Sequence, residues 1–291
     1  MRDTLGAAET HANRIARPLV SVEGIARRFG KLTVFENCWF HVAPGEFVCL
    51  VGHSGCGKTT ILNILAGLDA PDDGGVLVEG QEITGPSLDR AVIFQGHALM
   101  PWLTAAENVG FALACRHTSW PKARIREAAL AALRRVGLEQ AADRKPAQLS
   151  GGMKQRVGIA RALSIDPKLL LMDEPFSALD ALTRGSLQEQ VSALVTEAGQ
   201  TAFMITHDVD EAILLADRIL LMTNGPEARI AEVVLNTLPR PRERAHLHHM
   251  PGYHPLRDHI MDFLITRSRT LAGPPPSGHD PRHPPTVTPA G

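Results

Sequence analysis

The run Gly52-His53-Ser54-Gly55-Cys56-Gly57-Lys58-Thr59 has the spacing G-x-x-x-x-G-K-[ST]. Glycines so spaced let successive backbone N–H groups curl around a polyphosphate. Lys58 can then reach the β- and γ-phosphates, and the Thr59 hydroxyl can ligate Mg²⁺. A second candidate is the pair Asp173 and Glu174, which closes the apolar run Leu169-Leu170-Leu171-Met172. Asp173 is placed to hold Mg²⁺, directly or through water. Glu174, one residue on, is placed to orient or deprotonate an attacking water. Each feature has a plainer alternative: a glycine turn that binds nothing, and a carboxylate pair that caps a helix or faces solvent.

The elements around these residues favour the chemical reading. Phe47-Val48-Cys49-Leu50-Val51 has strand character, and Thr60-Ile61-Leu62-Asn63-Ile64-Leu65-Ala66 reads as a helix that Gly67 can end. Such a helix aims its positive end at an anion held by the loop. The run before Asp173 suits a central parallel strand buried on both faces, with functional groups at its carboxyl end. Thr201-Ala202-Phe203-Met204-Ile205-Thr206 is a similar run, so His207 emerges at the same sheet edge; taken alone it reads as an ordinary packed histidine. Ser150-Gly151-Gly152 precedes a helical pattern of Val157, Ile159, Ala160 and Leu163. A serine cap followed by glycines is either a second anion site or a plain helix cap.

Short alternating runs over 19–42, strands near 76–79 and 91–94, and a strand over 218–222 complete the sheets. A helix is expected from Pro121 through Val136, with Gly137 as its stop, and another from Leu182 to Val195. Strands alternating with helices argue for a mainly parallel sheet.

Between the two phosphate-chemistry motifs lies Leu149-Ser150-Gly151-Gly152-Met153-Lys154-Gln155-Arg156, which resembles the signature sequence of ATP-binding cassette (ABC) ATPases. Other landmarks of that family fall in order over residues 19–270. Gln95, in Val92-Ile93-Phe94-Gln95, looks like the Q-loop glutamine, although alone it could be a surface amide. Ser177-Ala178-Leu179-Asp180 looks like the D-loop, and His207 like the switch histidine. Phe29 stands where the family places an aromatic against adenine, although alone it would be assigned to the core.

The resemblance implies an α/β P-loop NTPase with a mainly parallel RecA-like core, an antiparallel β subdomain and a helical signature subdomain. It implies ATP bound by Phe29, residues 52–60 from Gly52 to Thr60, and Gln95. Mg²⁺ would be held by Thr59, Gln95 and Asp173, and Glu174, His207 and Lys58 would be catalytic. Ser150, Gly151, Gly152 and Gln155, with Asp180, would meet the ATP of a second cassette in a head-to-tail dimer, homomeric or heteromeric. The remaining implied partners are membrane permease subunits and, indirectly, a solute-binding protein.

Composition sets the bounds. The chain has 291 residues, is 44% hydrophobic and carries a formal net charge of −1. That charge gives no electrostatic footprint for nucleic acid. No stretch approaches the roughly 20 consecutive apolar residues of a membrane helix, and Met1 to Pro18 lacks an apolar signal core. The expected place is therefore cytosolic, at the inner face of a membrane. Cys38, Cys49, Cys56 and Cys115 show no metal or redox spacing and read as reduced thiols. Cys56 lies near a helix N-terminus, which can lower a thiol pKa.

The expected organisation is a loose tail over 1–18, an ATP-binding domain over 19–238 with a helical insertion over 96–161, a C-terminal extension over 239–270, and a Pro-rich disordered tail over 271–291 that cannot bury a core. Phe94 to Val109 is similar to the importer branch for nitrate, cyanate, bicarbonate, sulfonates and taurine. So is Asp173 to Arg184, with serine at 177 where glycine is more usual. Leu221 to Pro226, Arg240 to Arg244 and Leu256 to Leu264 are similar to nitrate-transport ATP-binding subunits. The resemblance implies that Leu99 to Leu103 contacts the permease, with Met100 and Trp102 as anchors; otherwise that stretch is a buried loop. Rival readings are a soluble ABC protein acting on DNA or ribosomes, and a regulatory binder that does not hydrolyse.

Overall fold

Residues 18–272 and 280–289 are described by the structure, a computed structural model. The chain divides into two compact units, Met1–Pro86 with Gly199–Gly291, and Ser87–Ala198. The first unit opens with β1 (Val20–Phe29), β2 (Leu32–Val42), β3 (Phe47–Val51), α1 (Lys58–Ala66), β4 (Asp73–Val78) and β5 (Gln81–Glu82). The second holds β6 (Arg90–Ile93), α2 (Ala105–Arg116), α3 (Lys122–Arg135), α4 (Gly151–Ser164), β7 (Leu169–Asp173) and α5 (Ala181–Glu197). The chain returns to the first unit with β8 (Thr201–Thr206), α6 (Val209–Leu215), β9 (Arg218–Met222), β10 (Ile230–Leu235), α7 (Tyr253–Asp262) and β11 (Thr286–Val287).

Two sheets build the first unit. One is antiparallel, in the order β2-β1-β4-β5. Its β1–β2 hairpin closes at Phe29 opposite Leu32, with Gly30 at φ 61° supplying the turn. In the other, β3 runs parallel to both β8 and β9, and β10 pairs antiparallel to β9. Every residue of β3, β8 and β9 is buried, which is why these strands read as unbroken apolar runs. Arg218, at the start of β9, is the charged exception. Its guanidinium donates to both Glu46 oxygens at 2.5 and 2.9 Å, and Glu46 also accepts from Ala43 N. A bidentate pair of this kind offsets the cost of burying two charges.

In the second unit, β6 and β7 pair in parallel, with Ile93 opposite Met172. Pro121 stands at the N-cap of α3, and Gly137, at φ 70°, follows its end. A capping box joins Thr104 and Glu107 at the start of α2.

The structure departs from the expectation of an unpacked tail at 280–289. Thr286 and Val287 pair in parallel with Val233 and Val234, and Val233 N donates to Pro285 O at 3.0 Å. A proline-rich composition excludes a core but not pairing at a sheet edge. An edge strand also offers unpaired backbone groups, and two residues suffice to use them. The prolines cannot donate to a ladder, and they flank the paired residues. Residues 273–279, 290 and 291, and the N-terminal tail expected over 1–18, except Pro18, lie outside the described residues. No helix among the described residues is long and apolar enough to cross a membrane.

Candidate nucleotide site

In the first unit the glycine loop leaves β3 and enters α1, as its spacing predicts. Val51 pairs with Thr206, so Gly52 and His207 leave the sheet from adjacent parallel strand ends. Gly57, at φ 100°, is the N-cap of α1, and no side chain caps the helix there. A Cβ at Gly57 would meet Phe35 Cδ1 at 2.6 Å and Val34 Cγ1 at 2.8 Å, so only glycine fits. Lys58 is 7% exposed, and its ammonium folds back onto the loop, donating to Gly52 O at 2.8 Å and His53 O at 2.7 Å. Ser54, Gly55 and Thr59 are exposed. Phe29 is also exposed, at 55%, with the Arg27 guanidinium 5.1 Å from its ring centre, so it is a free aromatic face rather than core.

His207 is exposed, and α6 starts just after it. The Asp208 carboxylate caps that helix, accepting from Asp210 N at 2.9 Å and Glu211 N at 3.1 Å. Thr206 Oγ1 donates to buried Glu211 at 2.6 Å and accepts from Asp208 N. The backbone on either side of His207 is therefore fixed.

In the second unit Gln95 follows β6 and Asp173 ends β7, so both leave adjacent strand ends. Glu174 is half-buried and sits at φ 44°, a conformation that is strained for a residue with a Cβ. The Gln95 amide donates to Ser177 Oγ at 3.2 Å and to Glu174 Oε2 at 3.4 Å, so these three are brought together. Ser150 caps α4 through Met153 N at 3.3 Å. A side chain at Gly152 would collide with Thr183 Cγ2. Asp180 caps α5 and accepts from Thr183 N at 3.1 Å, a bond that holds its carboxyl below the usual range.

One sequence expectation is corrected. Burial pushes the Cys56 thiol up rather than down: it is 1% exposed, and desolvation outweighs the Lys58 ammonium 3.9 Å away. Gln155 faces inward, fully buried, with its side-chain oxygen on His97 Nδ1. That contact commits the side chain to the loop after Gln95.

Sequence reasoning missed three anchoring side chains. Asn108 accepts from Met100 N and donates to the carbonyls of Met100, Leu103 and Thr104, which fixes the turn that carries Trp102. Arg242 donates to Ile213 O and Ala216 O at the end of α6, and to Leu238 O. His53 Nε2 lies 2.7 Å from Leu264 O, in the C-terminal extension. The bonds of Asn108 stay within one local turn, whereas those of Arg242 and His53 depend on which distant segments meet.

A glycine phosphate loop between a buried parallel strand and a helix, with carboxylates at the end of another parallel strand, defines a P-loop nucleotide-binding protein of the α/β class. The sequence pattern described as "ABC transporter" matches residues 35–177. The nitrate transport protein NasD of Klebsiella oxytoca is 48% identical over 261 residues, 88% of this chain and all of that protein. The bicarbonate transport ATP-binding protein CmpD of Synechocystis sp. is 46% identical, covering 89% of this chain and 93% of its own. The nitrate import ATP-binding protein NrtC of the same organism is 46% identical, and this chain spans 38% of its length. Among solved structures, the dimeric ATP-binding cassette MJ0796 bound to ADP and Pi superposes with a TM-score of 0.66 at 31% identity, over 75% of this chain and 98% of that one. The chain belongs to the ABC transporter family.

Proposed function

We propose that this chain drives uptake of nitrate through a membrane permease at the cytoplasmic face. One observation carries the reading. The likeness to NasD runs the length of that protein, including segments outside the ATP motifs. The likeness to CmpD supports bicarbonate as a second reading.

In the proposed cycle, Phe29 stacks on adenine, and the loop from Gly52 to Thr60 binds the phosphates of ATP. Lys58 moves from the loop carbonyls to the β- and γ-phosphates. Thr59, Gln95 and Asp173 offer oxygen donors, the ligand type that Mg²⁺ takes, and the ion would neutralise phosphate charge when bound. Two cassettes close head to tail, with Ser150, Gly151 and Gly152 of one toward the γ-phosphate of the other. Asp180 lies in the same interface. Glu174 orients or deprotonates the attacking water, and His207 supports the transition state. In the resting chain the Gln95 amide occupies the Glu174 carboxylate, so that contact must loosen before Glu174 takes the water. A solute-binding protein delivers the anion to the permease and does not touch this chain.

The test is ATP hydrolysis by the chain assembled with its permease in proteoliposomes. Stimulation by the nitrate-loaded solute-binding protein, and not by taurine or bicarbonate, is the expected result. Stimulation by bicarbonate alone would replace the substrate assignment.

A further inference from the structure

The C-terminal extension lies outside every ATP motif, yet it touches the phosphate loop and the helix that follows His207. Tyr253 OH donates to Asp210 Oδ1 at 2.7 Å, and Arg257 Nε donates to the same oxygen at 3.0 Å. Asp210 sits in the first turn of α6, which begins two residues after His207. That turn is already rigid, because Asp208 and Thr206 fix its N–H groups and Glu211. A grip on Asp210 therefore reaches His207 through stiff backbone. Farther along, α7 runs into a π-helical turn, Phe263–Arg267, which frees carbonyls from the α-pattern. Leu264 O there accepts from His53 Nε2 and from Ser268 Oγ at 2.8 Å. Ser268 O in turn accepts from Asn224 N at 3.2 Å, and Asn224 borders the same face of the phosphate loop. Tyr253 and Leu264 stand eleven residues apart, roughly 16 Å along a helix. One helix thus holds the phosphate loop at one end and the switch segment at the other.

We infer that the helix from Tyr253 to Leu264 is a tie between the phosphate loop and the switch segment, with Tyr253 and Arg257 as positioning residues for His207. The inference rests on the assignment of His207 to the hydrolytic reaction. Loading of the phosphate loop is felt at His53, and the tie carries it to the first turn of α6. Burial and the Asp210 hydrogen bond push the Tyr253 hydroxyl up to about 12, so it remains a donor across the working pH range.

A thermodynamic cycle on the full chain tests the tie. Tyr253→Phe removes one donor and keeps the ring. It is expected to lower kcat about ten-fold with KM for ATP unchanged. In a His207→Ala background, Tyr253→Phe should cause no further loss, because its effect passes through His207. Equal losses in both backgrounds, or no loss in either, would overturn the inference. If Tyr253→Phe fails to fold, Asp210→Asn serves. It keeps an oxygen acceptor for both donors, and it should give a smaller loss with the same non-additivity. Hydrogen exchange on the wild-type chain supplies a second reading, free of catalysis. A non-hydrolysable ATP analogue should slow exchange at 263–268 as well as at 52–60. Protection at 52–60 alone would sink the phosphate-loop half. A chain that shows both protections but releases no phosphate would overturn the hydrolytic assignment and leave the tie standing.

Discussion

His97 donates a hydrogen bond from Nδ1 to the buried side-chain oxygen of Gln155, and this pins the loop after Gln95 to helix α4. Arg161 adds a second clamp from the same helix, donating to Ala98 O at 2.7 Å. The clamps have something to hold. His97 and Ala98 both sit at positive φ, 63° and 45°, each a cost on the order of 1 kcal/mol. At its other end the loop is tied to Glu174 and Ser177 through Gln95. The loop from Gln95 to Ala98 is thus a stiff link between the Glu174 carboxylate and the helix that Ser150 caps.

That stiffness bears on Trp102, which is 67% exposed. The stretch carrying it is fixed by the α4 clamps on one side and by Asn108 on the other. A rigid, exposed tryptophan is the usual anchor of an interface. Trp102→Ala is expected to weaken co-purification with the permease at least ~10-fold and to leave ATP affinity of the isolated chain unchanged. Normal recovery of the permease with the mutant would remove Trp102 from that contact.

Cys56 should react slowly despite its place beside the helix N-terminus. Its thiol is buried and its pKa is raised, so thiolate is scarce at neutral pH and grows only above the ordinary thiol range. Exposed Cys115 supplies an internal comparison. Peptide mapping after maleimide treatment at pH 8 should show Cys56 modified at least ~10-fold more slowly than Cys115. ATP should slow it further, by filling the loop. Equal rates at the two thiols would contradict the burial argument.

Arg242 is a stability residue, not a catalytic one. It is buried, and its guanidinium satisfies carbonyls at the end of α6 and at Leu238. Arg242→Met keeps much of the volume and removes the donors. The expected cost is about 2–3 kcal/mol, read as a lower urea midpoint with an unchanged slope. A midpoint equal to that of the wild type would show that water replaces those bonds without loss.

What the sequence made legible was local. The phosphate loop, the apolar runs of β3, β7 and β8, and the serine cap of α4 are each spelled by adjacent residues, because strand burial and helix starts follow short-range spacing. The rest depended on segments far apart in the chain. The helix-end argument for Cys56 was sound as far as it went, but tertiary burial is the larger effect. Gln155 sits among signature residues, yet helical geometry turns it toward His97. In sequence the extension carries only subfamily similarity; the contacts of Leu264 with His53 and of Tyr253 with Asp210 join segments far apart in the chain. Proline content argues only against a core, and it could not show that β10 has an open edge for Thr286 and Val287.

Glu174→Gln keeps the shape of the side chain and removes the base, so hydrolysis should fall ~100-fold or more while ATP still binds. The most direct measurement is uptake of labelled nitrate by cells in which Glu174→Gln is the only copy, beside cells with the unaltered chain at equal protein level. Loss of nitrate uptake in the mutant is the predicted result. Nitrate uptake at the unaltered rate would contradict the claim that hydrolysis at this site drives nitrate transport.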